Sequence, residues 1–304
     1  MIHLSVEQAD RVWERRMKPE DKHTRAAVAP PSNGALSRIA PATVLAALGL
    51  PRAGKVYDLG LELNDVIPSN PAFTPLALNF THTPEETGAD SPFQFSADSF
   101  GGGLHIGTHM DAFIHVQAED RIYGGDLARD ARTDRGWKKY GMETIAPMIG
   151  RGLILDIPAL KGGKRLADGY EITIADLKAE LARTSQAIHQ GDFVIVRTGK
   201  IQDWNNPAAF QASEPGVGRD AAIWLYDAGM AVLATDTTGT EPLPFADAAA
   251  TTHRAMLVDR GVHLLENLYL EEVARDGIRE GLFINLPLKI TGATGSWIRP
   301  VLVV

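Results

Sequence analysis

"RGLILDIPALKGGKRLADGYEITIADLKAELARTSQAIHQGDFVIVRTG" (residues 151–199) holds two short apolar runs on either side of a differently patterned middle. The outer runs, "RGLILDIPAL" and "DFVIVRTG", are short and rich in β-branched residues, which predicts strands. In the middle, Thr173 and Asp176 form a helix-start pair. Ile174, Leu177 and Leu181 follow at helical spacing before Gly191 closes the segment. Strand, helix and strand in that order make the unit of an α/β fold. The texture repeats downstream: "RDAAIWLYDAGM" (219–230) and "FADAAATTHRAMLVDRG" (245–261) read as helices, "AVLATDT" (231–237) and "VHLLENL" (262–268) as strands. "LFINLPLKITGATGSWIRPVLVV" (282–304) predicts two strands joined by a Gly-rich turn. Alternation from about residue 150 sets the class as α/β.

Upstream, "KVYDLGLEL" (55–63) predicts one more short strand, and "FTPLALNFTHTPEETGADSPFQF" (73–95) has no clear period and reads as a long loop. Residues 1–54 read as a helical arm preceding a main domain at 55–304. Within the arm, "SVEQADRVWERRM" (5–17) carries a capping pattern and apolar residues at helical spacing. "APATVLAALGL" (40–50) has Pro41 near a helix start and Gly49 near its end, with a linker between the two helices.

The chain has 304 residues, 44% of them hydrophobic and 22% charged, an ordinary globular composition. A net charge of -8 without any long basic run argues against nucleic acid or an anionic membrane as partner. No cysteine is present, which excludes disulfides, thiolate ligands and a cysteine nucleophile. The first residues lack a secretory apolar run, and no stretch approaches a membrane span, so the expected location is the cytoplasm.

"GGGLHIGTHMDAFIHV" (101–116) carries the chemistry. His105, His109 and His115, three of the chain's nine histidines, fall within it together with Asp111. On a regular helix Asp111 would point away from His105 and His109. On a regular strand all four would share a face but spread over roughly 33 Å, far beyond one ion's reach of about 2 Å per ligand. A shared site therefore requires an irregular backbone, which the glycines, Gly107 among them, allow. Two imidazoles and a carboxylate suit Zn²⁺, Mn²⁺ or Fe²⁺ and leave a position open. A metal so held can ionise water near neutral pH, and His115 stands ready to shuttle a proton. Spacing alone thus points to metal-assisted hydrolysis with no named substrate.

The run from His105 through Gly107, Thr108, His109 and Asp111 to His115 resembles the His-x-Gly-Thr-His-x-Asp-x-x-x-His signature of the metal-dependent cyclase family. Further blocks agree in order over about residues 55–304, including "YDLGLEL" at 57, "TDTTGTEP" at 235, "THRAML" at 252, "LLENL" at 264 and "GATGSWIRP" at 292. The resemblance implies a single compact domain of the swivelling β/β/α kind, with central β-structure and outer helices. It implies a homodimer or homotetramer and a divalent metal, Zn or Mn, as one or two ions per subunit. By position, His105, His109 and Asp111 match ligands of the first ion, and Asp111 bridges to a second ion completed by His253 and Glu266. His115 matches the catalytic histidine. The implied activity is hydrolysis of a C–N bond in an amide or cyclic amide of a small-molecule substrate, arylformamidase-like. Lactam or lactone opening of the isatin-hydrolase type and non-catalytic ligand binding are the alternatives. Phe113 stands where many members have proline, which is expected to alter the wall of the pocket. His3, His23, His82, His189 and His263 read as ordinary surface or strand histidines.

Overall fold

Leu153, Leu155, Val194 and Val196 are buried on one side of a sheet, and Ile154, Phe193 and Ile195 on the other. Alternation of that kind inside continuous apolar runs is what a strand covered on both faces needs. The computed structural model describes residues 32–88 and 90–304. Its centre is a nine-stranded sheet. In chain order the strands are β1 (Val56–Asp58), β2 (His109–Asp111), β3 (Met148–Asp156), β4 (Phe193–Arg197), β5 (Val232–Thr235), β6 (His263–Glu266), β7 (Glu280–Asn285), β8 (Gly295–Trp297) and β9 (Val301–Val303). They lie in the order β1-β9-β7-β3-β4-β5-β6-β2-β8. β3, β4, β5 and β6 run parallel, and antiparallel strands flank them on both sides.

Three helices bear on function or stability: α1 (Pro41–Leu48), α2 (Ile174–Thr184) and α3 (Arg219–Ala228). Thr173 Oγ1 accepts from the Asp176 N–H at 3.3 Å, and Asp176 Oδ2 accepts from the Thr173 N–H at 3.0 Å. That reciprocal pair satisfies two amides that the first turn would leave open. α2 stops at Thr184, where Ser185 turns left-handed at φ 54°. Leu177 and Leu181 of α2, and Ala222, Trp224 and Leu225 of α3, join one apolar cluster with the β3 and β4 residues Leu153 and Val196. The opposite cluster joins strand residues such as Ile154, Phe193 and Phe283 to residues of the connecting segments such as Leu59, Ile114 and Ile122. The domain is thus a single α/β unit with a curled mixed sheet at its centre.

The described part of the arm is docked on this unit. The Ala35 N–H donates to Gly261 O at 2.7 Å, Arg38 Nη1 donates to Met230 O at 2.6 Å, and α1 packs across β3. The expected helix at 5–17 lies outside the described residues. Three expectations are corrected. The segment 73–95 is not all loop: Ala77–His82 pairs with Ala97–Gly101 as a largely exposed hairpin, in which Leu78 and Phe80 alternate with Asn79 and Thr81. The C-terminal run forms three strands rather than two, because the stretch after the Gly-rich turn is split at Ile298–Pro300 into Gly295–Trp297 and Val301–Val303. The helix expected over 245–261 is confined to residues 252–258, mostly one π-type turn, with turns and loop before it.

Candidate active site

Register places the chemistry. On β2, His109 and Asp111 share a face while Met110 enters the core. Glu266 at the end of β6 lies directly opposite His109, and Leu265 lies opposite Met110. A pairing between residues more than 150 positions apart thus sets a carboxylate beside an imidazole: His109 Nε2 is 3.3 Å from Glu266 Oε2 and 3.6 Å from Asp111 Oδ1.

The residues before β2 are not strand, and the turn at Gly107 (φ 62°) folds His105 back. His105 Nδ1 reaches Asp111 Oδ1 at 2.7 Å, and its Nε2 meets Thr294 Oγ1 at 2.9 Å. The Gly107 carbonyl accepts from His109 Nδ1 at 2.9 Å and from Asn267 Nδ2 at 3.0 Å. The first of these bonds leaves His109 Nε2 facing the carboxylates, the orientation a ligand needs. Alanine at Gly107 must hold a left-handed backbone and displace Leu63 Cδ2, which a Cβ would approach to 2.4 Å. Gly107→Ala is expected to cost about 1–2 kcal/mol, read as a lower urea midpoint with an unchanged slope.

After β2, His115 stacks on His105 with ring centroids 3.7 Å apart. His253, next to the π-type turn, brings Nε2 to 3.5 Å from Asp111 Oδ2 and 3.4 Å from Glu266 Oε1. All six residues singled out in the sequence therefore converge. Among the described residues, two groups have ligand-capable atoms within 4.8 Å of one another, His105–Asp111–His115 and His109–Asp111–Glu266, and Asp111 belongs to both.

The electrostatics fit a cation. Burial alone would raise the Asp111 carboxyl, but His115 and His105 together hold it well below the usual carboxylate range. Burial would lower His253, yet the charges of Glu241 and Glu266 hold it well above an ordinary histidine. His115 is pulled down to about 3, chiefly by burial, so it is neutral at physiological pH. Asp111 Oδ2 is buried with no hydrogen-bond partner, a costly state for a carboxylate oxygen. A divalent ion would satisfy it, and mixed imidazole and carboxylate donors are the set that Zn²⁺ or Mn²⁺ takes.

Phe113 does not line this site. It is buried and stacks on His263 with centroids 4.0 Å apart, beside Tyr123. His263 in turn meets the Asp111 backbone carbonyl at 2.8 Å. Phe113 therefore supports β2 from the core and does not line the cavity beside His105. Four residues were not singled out in the sequence: Thr240, Glu241, Asn267 and Thr294. All four sit inside the family-like blocks, so the signal was present, but it carried no indication of which polar residue faces inward. Beside His105 a cavity of about 120 Å³ runs along Asn70, Glu214, Thr238 and Asn267.

A family model described as "Putative cyclase" matches residues 57–242. The kynurenine formamidase of Bacillus cereus (strain ATCC 14579) is 26% identical over 246 residues, spanning 81% of this chain and 95% of that protein. A crystal structure described as a novel cyclase superposes with a TM-score of 0.83 at 30% identity, covering 90% of this chain and 94% of the other. Isatin hydrolase A from Ralstonia solanacearum shares the fold, with a TM-score of 0.62 at 22% identity and coverage of 86% and 95%.

Proposed function

The chain belongs to the cyclase family, and from that premise we propose that it is a metal-dependent hydrolase cleaving the C–N bond of a small amide or cyclic amide, in the manner of an arylformamidase. The observation that carries the reading is the convergence of four imidazoles on the buried carboxylates of Asp111 and Glu266, with Asp111 Oδ2 3.5 Å from His253 Nε2 and without a hydrogen bond. His105, His109 and Asp111 would hold one divalent ion. Asp111, His253 and Glu266 would hold a second. When bound, the metal supplies Lewis-acid polarisation of the scissile carbonyl and acidifies water.

The residues supply the rest. Thr294 and the Gly107 carbonyl hold the His105 and His109 rings in orientations that turn Nδ1 of His105 and Nε2 of His109 toward Asp111. His115 is packed against His105 beside the ligand cluster, where its ring nitrogen would take a proton from the attacking water and return it to the departing nitrogen. Water adds across the C–N bond, giving a carboxylic acid and an amine. Kynurenine formamidase relatives favour an open formamide as substrate, and lactam opening is the same bond cleavage within a ring.

The test is a panel of N-formylkynurenine, isatin and simple lactones. Chelated protein is expected to be inactive, and Zn²⁺ or Mn²⁺ to restore turnover of an amide. Full activity after exhaustive chelation would sink the reading. Ligand binding without turnover across the panel would favour a non-catalytic role.

The same reading places the enzyme in the cytoplasm as a homodimer or homotetramer, with residues 1–54 as an extension of the catalytic domain. Among the described residues no helix is long and apolar enough to cross a membrane. The 77–101 hairpin and its connection expose Leu78, Phe80, Phe93, Phe95 and Phe100, an apolar surface that a second copy would cover. Light scattering on the eluting protein is expected to give at least twice the chain mass of 32.8 kDa.

A further inference from the structure

His253 and Glu266 come from different elements, yet both are held by neighbouring residues of one turn. Glu241 Oε2 accepts from His253 Nδ1 at 2.7 Å and from the His253 backbone N–H at 3.0 Å. Thr240 Oγ1 donates to Glu266 Oε1 at 2.7 Å. With Nδ1 engaged, His253 turns Nε2 toward Asp111 and Glu266. With Oε1 held by the hydroxyl, Glu266 turns Oε2 toward His109. Partners of this kind fix the tautomer and rotation of metal ligands.

The turn itself is built to be rigid. Thr240 is fully buried with a left-handed backbone at φ 57°, a conformation that persists only where the surroundings impose it. The imposing element is the short strand Gly216–Val217. The Val217 N–H donates to Thr240 O at 2.7 Å, and Val217 O accepts from Thr252 Oγ1, the residue before His253, at 2.8 Å. Gly216 lies so close that a Cβ there would be 2.2 Å from the Glu241 carbonyl carbon. One strand therefore clamps both the turn and the segment that carries His253.

We propose that Thr240 and Glu241 are the positioning residues of the second metal half-site, acting on Glu266 and His253 respectively. The proposal rests on the divalent-metal reading above. Glu241 is buried, and its Oε1 has no hydrogen-bond partner. Its polar contacts are thus concentrated on His253, as an orienting carboxylate requires.

The experiment is calorimetric titration of the metal-free full chain with Zn²⁺, and visible absorption of the Co²⁺-loaded protein. Wild type is expected to bind two ions. Glu241→Gln and Thr240→Val are expected to weaken only the second ion, by about 10- to 100-fold, and to change only the absorption of the second Co²⁺ equivalent. Thr240→Ser keeps the hydroxyl and is expected to retain wild-type affinity. An unchanged first ion reports an intact fold. Wild-type affinity for the second ion in both Glu241→Gln and Thr240→Val overturns the proposal. Equal weakening of both ions overturns a role confined to one half-site. Wild-type protein that binds no ion defeats the metal reading itself. A single ion indifferent to His253→Ala overturns the second half-site together with this role.

Discussion

Asp111→Ala is expected to strip the protein of metal and to lower kcat/KM by roughly a thousandfold or more. Asp111 is the one residue common to both ligand-capable groups. Its Oδ1 faces His105 and His109, and its Oδ2 faces His253. Its loss therefore opens both half-sites together. Metal polarisation of a carbonyl is worth several kcal/mol, and each 1.4 kcal/mol is about tenfold in rate, which gives the stated magnitude. Elemental analysis of the purified variant beside steady-state kinetics checks both parts. Asp111→Ala protein with the wild-type complement of metal would refute the ligand assignment. His109→Ala is expected to follow the same direction, because it loses contacts to Asp111 and Glu266 at once.

His115→Ala is expected to behave differently, keeping its metal while losing about 10²- to 10⁴-fold in kcat. The ring is half-buried beside the carboxylate of Asp111. Its stacking on His105 sets it against the ligand cluster from the side. The competing role is ligation, since a ring nitrogen of His115 lies with atoms of His105 and Asp111 inside 4.8 Å. The two roles separate cleanly. A proton shuttle leaves the metal content of His115→Ala unchanged, whereas a ligand lowers it. Full turnover in the variant would exclude either role.

The residues on which these predictions rest were readable in the sequence to unequal degrees. Around His105–His115, identity and spacing were enough, because four donor side chains within eleven residues can share a site only if the backbone folds at Gly107, as it does. The strands at 151–156, 193–197 and 232–235 and the helices at 174–184 and 219–228 were equally legible from their apolar runs and spacing, whereas the short helix Pro207–Ala212 and the paired strands Glu171–Ile172 and Gly216–Val217 were not. The 77–101 hairpin was not legible. Leu78 and Phe80 do alternate with Asn79 and Thr81, but the alternation is only a few residues long and lies in a stretch rich in Pro and Thr that reads as loop. Phe113 was misjudged for another reason. One-dimensional adjacency to a motif says nothing of side-chain direction, and the residue turns into the core against His263.

By itself, then, the sequence determined the α/β class, the family signature and the His105–His109–Asp111–His115 cluster, all properties encoded within a few residues of one another. The resemblance implied that His253 and Glu266 join Asp111; tertiary structure alone decided that Glu266 lies opposite His109 and that Thr240 and Glu241 hold the pair. Those contacts depend on the antiparallel register of β6 on β2 and on the clamp from Gly216–Val217. Pairing energy between distant segments is shared across a whole interface of strands. It leaves no local pattern from which a particular partner can be read.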